Sequence, residues 1–396
     1  MFLNKIKVID LTHFIAGPFC GQSLADYGAD VIKIEPISGE YSRKAHPMYG
    51  EDSLYFSAFN RGKKSLSLDL KSEQGEKVLH KLIKSADVVL TNYSPSTPQK
   101  LGFDYETISK LNPEIIMTHI TGFGQYGEYK EKSAFDGIIQ SMSGIMNLTG
   151  LPENPPMKTG IYIADHLAGL QGVVGTLLAL LNREITKKGQ LVDISMYDSL
   201  VSFLSYHLSD VDILENNPSR AGNDSTNVFA TTFKTKDDYI YVAPLTDKMW
   251  RDFCFIIGRQ EWSSSDSEFL EVSNRLKRYQ YLKNEIEKWT TLNYTKDIEN
   301  IFKKYNIACA KINDISDLLN DTHLKQRDML KKVNLSSFGH KEVVMPGIPI
   351  KLSDDLKEEK AYVPELGEHT EEVLSSIGMN EDDIKHLLNE KVVIRK

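Results

Sequence analysis

The chain has 396 residues, 41% apolar and 26% charged, with a formal net charge of −8. That length exceeds what one core usually serves, so two domains are expected, and the composition excludes a disordered chain. The acidic balance, with no dense Lys/Arg stripe interleaved with aromatics, excludes nucleic acid as an expected partner.

Residues 5–122 alternate strand and helix signals. KVIDLT reads as a buried strand, PFCGQSLADYG as a short helix ending at Gly28, and ADVIKIE as a second strand. KKSLSLDL alternates like a strand. SEQGEKVLHKLIKSA follows as an amphipathic helix, with Val78, Leu79, Leu82 and Ile83 on one face and Ser72 as its cap. DVVLTNY, a helix near YETISKLN and the strand EIIMTHITGF complete the series. Strands separated by helices predict an α/β fold with a doubly wound, Rossmann-like parallel sheet.

The rhythm then changes. FATTFKTKDDYIYVAPL, residues 229–245, predicts a β-hairpin turning at Lys236-Asp237-Asp238, followed by helices to about residue 305 and a strand at IACAKI. A smaller α+β domain over 225–325 is expected, after a larger one over 1–224. The tail predicts a strand at KEVVMPGIPIKL and two helices around EEVLSSIG and EDDIKHLLN.

Three scattered cysteines, Cys20, Cys254 and Cys309, make no CxxC pair, so neither a disulfide framework nor a zinc site is expected. MFLNKIKVIDLTHF lacks the apolar stretch and cleavage site of a signal peptide. The longest apolar runs read as too short for a bilayer and are interrupted by Gly and Thr. A cytoplasmic protein with no membrane partner is expected.

The first βα turn, HFIAGPFCG, is not GxGxxG, and Pro18 removes a donor that a pyrophosphate site needs. A dehydrogenase is thereby disfavoured. In such a sheet ligands bind beyond the carboxyl ends of the strands. Those ends carry His13, the run Leu68-Asp69-Leu70-Lys71, the run Asn92-Tyr93-Ser94 and Thr121-Gly122-Phe123. Lys71 and Lys100 are candidates for phosphate contacts and Tyr93 for stacking on a base, although each alone reads as a solvated loop residue.

Asp165 stands between an apolar run and the long helix pattern DHLAGLQGVVGTLLALLNRE. It is either the N-cap of that helix or a nucleophile held at a helix start, and spacing alone favours the cap. A helix N-terminus favours an ionised carboxylate by about 0.3–1 kcal/mol, so both roles are compatible. Ala168, Gly169, Gly172 and Gly175 leave room for another backbone or a slim ligand. Asp136 carries the same ambiguity, and His13 and His166 are candidate proton carriers. No GxSxG elbow or HExxH motif is present.

The succession VIDLTHFIAGPFCGQSLADYGADVIKIEP, YFSAFNRGKKSLSLDLKSEQG, ADVVLTNYSP, LGFDYETISKLNPEIIMTHITGFG, ADHLAG, KKGQLVDISMYDSL and LGEHTEEVL closely resembles the class III CoA-transferases. This is the CaiB/BaiF family, which includes formyl-CoA and carnitine CoA-transferases. The resemblance covers essentially the whole chain. It implies a Rossmann-like large domain to which residues 326–396 return, and two copies interlocked as a homodimer. The implied activity moves CoA from an acyl-CoA donor to a carboxylic acid acceptor. CoA is part of the substrate, with no permanently bound cofactor and no metal.

The resemblance also maps catalysis onto Asp165. CoA contacts fall on Ile15, Ala16, Leu68, Asp69, Leu70, Lys71, Asn92, Tyr93, Ser94, Lys100, Ser133, Ala134, Phe135 and Asp136. Where formyl-CoA transferase has an arginine after the second strand this chain has Pro36, and Arg43 is expected to supply that charge. The glycine-rich loop over the aspartate has no counterpart; its nearest segment is RAGNDSTN, with Gly222 alone. Two alternatives remain. One is an α-methylacyl-CoA racemase, disfavoured because Phe135 stands where racemases carry a histidine. The other is a non-catalytic CoA-binding protein.

Overall fold

The computed structural model describes residues 2–335, 341–353 and 362–396. It divides into two compact units, Met1–Ile145 with Lys158–Ser209 and His323–Lys396, and Met146–Met157 with Asp210–Thr322. The inserted unit runs from Asp210 to Thr322 rather than from 225 to 325. It also takes in Met146–Met157, which the sequence reading left in the large domain.

The first unit is built on strands β1 (Lys7–Asp10), β2 (Asp30–Glu35), β3 (Lys64–Leu68), β4 (Val88–Thr91), β5 (Ile116–Thr121) and β6 (Leu191–Ser195), all parallel. Strand Val393–Ile394, not foreseen from the sequence, adds antiparallel to β3, giving the order Val393–Ile394, β3, β2, β1, β4, β5, β6. The inner strands are almost wholly buried (VVLT in β4, IMTHIT in β5), as expected for a sheet covered on both faces. Chain order reverses between β1 and β4, so the loops leaving these neighbours diverge and open a crevice at the carboxyl edge.

Helices α1 (Ala16–Asp26), α2 (Leu54–Asn60), α3 (Glu73–Lys84), α4 (Asp136–Met142) and α5 (Ile163–Thr186) belong to this unit. In α3 the Ser72 hydroxyl accepts the Gly75 N–H at 3.0 Å, and Val78, Leu79, Leu82 and Ile83 are buried against the sheet. Both follow from the sequence pattern.

Helix α5 corrects the expectation that no apolar segment is long enough for a bilayer. Its 24 residues meet that requirement by length and composition. One face, however, is the small-residue row, which is packed inside the unit. A Cβ on Gly169 would lie 2.6 Å from the Ala16 carbonyl oxygen, and one on Gly175 2.6 Å from Val192 Cγ1. The row thus receives the backbone of α1 and a side chain of β6, not a slim ligand. It brings the first turn of α1 against the first turns of α5.

In the second unit, β7 (Thr231–Lys234), β8 (Tyr239–Ala243) and β9 (Ala308–Lys311) form an antiparallel sheet with β8 in the centre. The predicted hairpin is present, its turn closed by the Thr235 N–H to the Asp238 carbonyl. Trp250, Phe253, Leu282, Ile286 and Phe302 fill the core beneath it. Of the tail, Lys341–Pro346 forms a strand as expected, but in a separate small sheet with Leu330–Leu335 and Tyr362–Val363. The two predicted helices are Thr370–Ser376 and Glu381–Asn389.

Gly169→Ala is expected to destabilise the protein by about 1–3 kcal/mol, because the intruding methyl meets backbone that must move. Gly137→Ala in α4, with no atom within 4 Å of the added Cβ, is expected to be neutral or stabilising. Urea unfolding of the two variants checks this; equal costs would contradict the close packing of α1 on α5.

Candidate active site

The loop from β1 to α1 is fixed by buried charge. Asp10, at the end of β1, accepts from Lys63 Nζ at 2.8 Å, and Lys63 also donates to the Pro18 carbonyl and to Asn60. Burial alone raises the pKa of Asp10, but Lys63 and Lys33 together hold it below the ordinary value. Lys33 donates to the Thr12 carbonyl at 2.9 Å and pairs with Glu40 at 3.2 Å. Glu40 accepts the Phe14 N–H at 3.3 Å, and Asn92 beyond β4 makes two 2.8 Å hydrogen bonds with the His13 backbone. Phe14 itself is held at φ 62°, a left-handed conformation costly for a bulky residue. These ties set where α1 begins, and with it the Ala16 N–H.

That N–H points at Asp165. Asp165 sits in the first turn of α5 as its third residue, so it is not the cap; the N-cap position is Tyr162, which makes no side-chain cap bond. The cap is supplied by Asp136. One of its oxygens accepts the Ala164 N–H at 2.9 Å and the other accepts from Gln140 Nε2 at 2.6 Å, while the Gln140 side-chain Oε1 accepts the Thr159 N–H. Spacing alone favoured Asp165 as cap, whereas the resemblance put catalysis there; the geometry assigns the cap to a residue 29 positions earlier. The Ala16 N–H is the backbone group that favours the Asp165 anion.

Its pKa rises to about 7, first through burial and then through the neighbouring Asp136 carboxylate, against the opposing Ala16 hydrogen bond. The displacement from 3.8 is on the order of 4 kcal/mol, several times the contribution of a helix terminus. Burial and the Asp136 carboxylate thus oppose the helix start, which favours the anion.

A cavity of about 310 Å³ surrounds this carboxyl, walled by Phe14, Ile15, Tyr55, Phe135, Tyr162 and Met196, with Asn92 and Asp136 among its few polar groups. A second cavity of about 230 Å³ adjoins it through Asn92, Thr121, Gly122, Ala134 and Phe135, and adds Tyr93, Ser94, Ser133, Lys130, Glu131 and Lys132. Of the residues singled out from the sequence, Ile15, Ala16, Asn92, Tyr93, Ser94, Ser133, Ala134, Phe135 and Asp136 thus gather along one groove ending at Asp165. Leu68, Asp69, Leu70, Lys71 and Lys100 lie outside both cavities. Leu68 ends β3 and Leu70 packs on the core, whereas Lys71 and Lys100 are exposed.

Arg43 is not a free positive charge. It makes two hydrogen bonds to Glu35 at 2.6 and 2.7 Å, donates to the Pro364 carbonyl, and lies 3.9 Å over the Phe56 ring. His166 Nδ1 donates to the Tyr162 carbonyl at 2.7 Å, and its ring lies beside Phe19 and Phe59 rather than on the cavity wall. His13 is pushed below its ordinary pKa by burial and then by Lys33, and its ring meets Tyr93 edge-on. The segment 220–227 lies in the second unit, where Arg220 hydrogen-bonds to Asn147, Leu151 and Pro152. Sequence reasoning missed Tyr55 and Tyr162; burial and then Asp165 raise the Tyr55 pKa.

The chain matches the model of CoA-transferase family III over residues 3–370. It is 32% identical to a succinyl-CoA:mesaconate CoA-transferase of Haloarcula hispanica, over 95% of this chain and 96% of that one. It is 34% identical to the β subunit of a succinyl-CoA–L-malate CoA-transferase of Chloroflexus aurantiacus, over 99% and 98%. A CaiB/BaiF family protein from Brucella suis superposes with a TM-score of 0.86 at 32% identity, over 95% of this chain and 99% of that one.

In the folded chain Asp165 holds its proton to about pH 7, but an unfolded aspartate releases it near 3.8. Folding therefore takes up a proton between these values, and this group makes the fold less stable as pH rises from about 4 to about 7. Asp165→Asn is expected to match the parent near pH 4 and to exceed it by about 2–3 kcal/mol above pH 7. Urea unfolding at the two pH values checks this; a pH-independent difference would contradict the burial of the carboxylate.

Proposed function

The chain belongs to CoA-transferase family III, and on that footing we propose that Asp165 is the nucleophile that carries CoA from an acyl-CoA donor to a carboxylic acid acceptor. The single observation that carries this reading is a dehydrated carboxyl, relieved of capping by Asp136, at the end of a groove along the carboxyl edge of the sheet.

The ionised carboxylate attacks the thioester carbonyl carbon. The C–S bond breaks, CoA departs as thiolate, and an acyl–aspartyl anhydride remains. The thiolate then attacks the aspartyl carbonyl, breaking the anhydride C–O bond; the donor acid leaves and an aspartyl–CoA thioester is formed. The acceptor carboxylate attacks that thioester, expels thiolate and makes a second anhydride. Thiolate attack on its acyl carbon releases the new acyl-CoA and restores Asp165. Bonds, charge and protons balance without a co-reactant, and one difficult exchange is divided into steps of similar energy. Water would hydrolyse the anhydrides and the aspartyl thioester alike, which gives the apolar wall of Phe14, Ile15, Phe135 and Met196 its purpose.

The Ala16 N–H is placed to stabilise charge on the aspartyl oxygen as thiolate adds. The first turn of α5 contributes less than its position suggests. Its Ile163, Ala164 and His166 N–H groups are already bound to Ile161, Asp136 and Tyr162. The CoA moiety is assigned to the adjoining cavity, where Lys130 and Lys132, with Glu131 between them, leave an excess of positive charge.

We also propose that two copies assemble as a homodimer. Opposite its packed small-residue face, α5 presents Leu170, Val174, Leu178, Leu181 and Ile185 exposed, a continuous apolar row that a second copy would cover.

Incubation with acyl-CoA and hydroxylamine is expected to leave a hydroxamate on Asp165, read by mass spectrometry, and Asp165→Ala to lower turnover at least 1,000-fold. Undiminished turnover in that variant would overturn the mechanism. The rate of aspartyl acylation is expected to rise with pH through about 7 and level off above it, because only the anion attacks. Asp136→Asn, which removes a neighbouring negative charge, is expected to move that midpoint downward; a midpoint independent of Asp136 would contradict the coupling. Leu178→Glu with Leu181→Lys is expected to yield monomer by light scattering, and an unchanged mass would reject α5 as the interface.

A further inference from the structure

His119 is a buried histidine that the reaction described above leaves without a task. It lies near the carboxyl end of β5, 2% exposed, in register with Thr91 of β4 on one side and Asp193 of β6 on the other. Its Nε2 stands 2.8 Å from the Tyr93 carbonyl oxygen, just beyond the end of β4. A carbonyl only accepts, so Nε2 carries the hydrogen of this bond. Burial lowers the pKa of the ring against the opposing Tyr93 carbonyl and Asp193, so at neutral pH the imidazole is uncharged and commits its one N–H to Tyr93.

That bond orients a peptide. The Tyr93–Ser94 peptide is trans, so its C=O and N–H point in opposite directions. With the carbonyl aimed at His119, the Ser94 N–H points away from it. The other polar groups of Ser94 are engaged within its own turn: its carbonyl accepts the Thr97 N–H at 2.9 Å, and its hydroxyl meets Thr97 Oγ1 at 2.7 Å. Among the described residues no group accepts the Ser94 N–H. Asn92, Tyr93, Ser94 and Pro95 all line the cavity assigned to CoA. Asn92 is tied to the His13 backbone, and the Tyr93 N–H to Thr91 Oγ1 at 3.3 Å, so the start of this run is fixed from β1 and β4. The His119 bond fixes its middle from β5.

We propose that His119 is a positioning residue for CoA: by holding the Tyr93 carbonyl, its Nε2–H keeps the Ser94 N–H turned toward an acceptor oxygen of the bound CoA. This rests on the placement of CoA in that cavity. Without the imidazole the Tyr93 carbonyl is left without its partner. Turning the peptide over to reach water satisfies that oxygen and takes the Ser94 donor away from the ligand.

The test is a calorimetric titration of free CoA into the intact chain. The dissociation constant is expected to rise about 10-fold in His119→Leu, which keeps much of the bulk and loses the donor. His119→Gln, whose amide nitrogen can stand where Nε2 stood, is expected to bind within about 3-fold of the parent. A role confined to packing would lower the folded fraction, read as the binding stoichiometry, and leave the dissociation constant of the folded molecules unmoved. An unchanged constant in His119→Leu, or equal losses in the two variants, overturns the inference and leaves CoA binding standing. A parent chain that does not bind CoA overturns the placement of CoA together with it.

Discussion

The site depends on one division of labour between two carboxylates. Asp136 accepts the Ala164 N–H and so closes the start of α5, which would otherwise claim the nearest acid for itself. Relieved of that bond, Asp165 keeps its oxygens for other partners, and the Asp136 charge beside it raises its affinity for a proton. The same residue thus supports the helix and tunes the group that the helix presents. Gln140 and Thr159 extend the arrangement, so the Asp136 carboxylate is held on both oxygens.

A second support comes from across the sheet. The β1–α1 loop has no glycine-rich turn and adopts its shape under the pull of buried ion pairs, Asp10 with Lys63 and Glu40 with Lys33. Buried pairs of this sort contribute little net stability, since dehydration offsets much of their attraction. Their role here is placement. They hold Phe14 in a left-handed conformation and deliver the Ala16 N–H to Asp165, while Gly169 lets the two helix starts approach within backbone contact. A carboxylate with a pKa near 7, the fixed loop and the bare aromatic wall each cost stability that a fold without a reaction to perform would have no reason to carry.

The groove follows from sheet topology. Because β1 and β4 are neighbours whose following segments run to opposite sides, the crevice opens between them, and Asn92 bridges it by bonding the His13 backbone. Lys130, Glu131 and Lys132 line one end of that crevice, Asp165 lies at the other, and Phe135 lines both.

Most of the fold was legible in the sequence because its signals are local. Buried parallel strands read as short apolar runs, α3 shows its period and its Ser72 cap, and the hairpin at 231–243 alternates around a polar turn. Asp165 stood out for the same reason, as an acid between two apolar stretches. What the sequence left open was set by partners distant along the chain. Spacing favoured Asp165 as cap, since only the folded chain brings Asp136 to the Ala164 N–H. Arg43 read as a free charge because Glu35, Phe56 and Pro364 meet it only after folding. The small residues of α5 read as room for a ligand until α1 and β6 filled it, and its length read as too short because its exposed apolar face and its packed one merge in a linear string. Residue identity determined which groups are available for chemistry; burial and the neighbours gathered by the tertiary structure decided their charge states, because dehydration and nearby charge act through space and leave no trace in local periodicity.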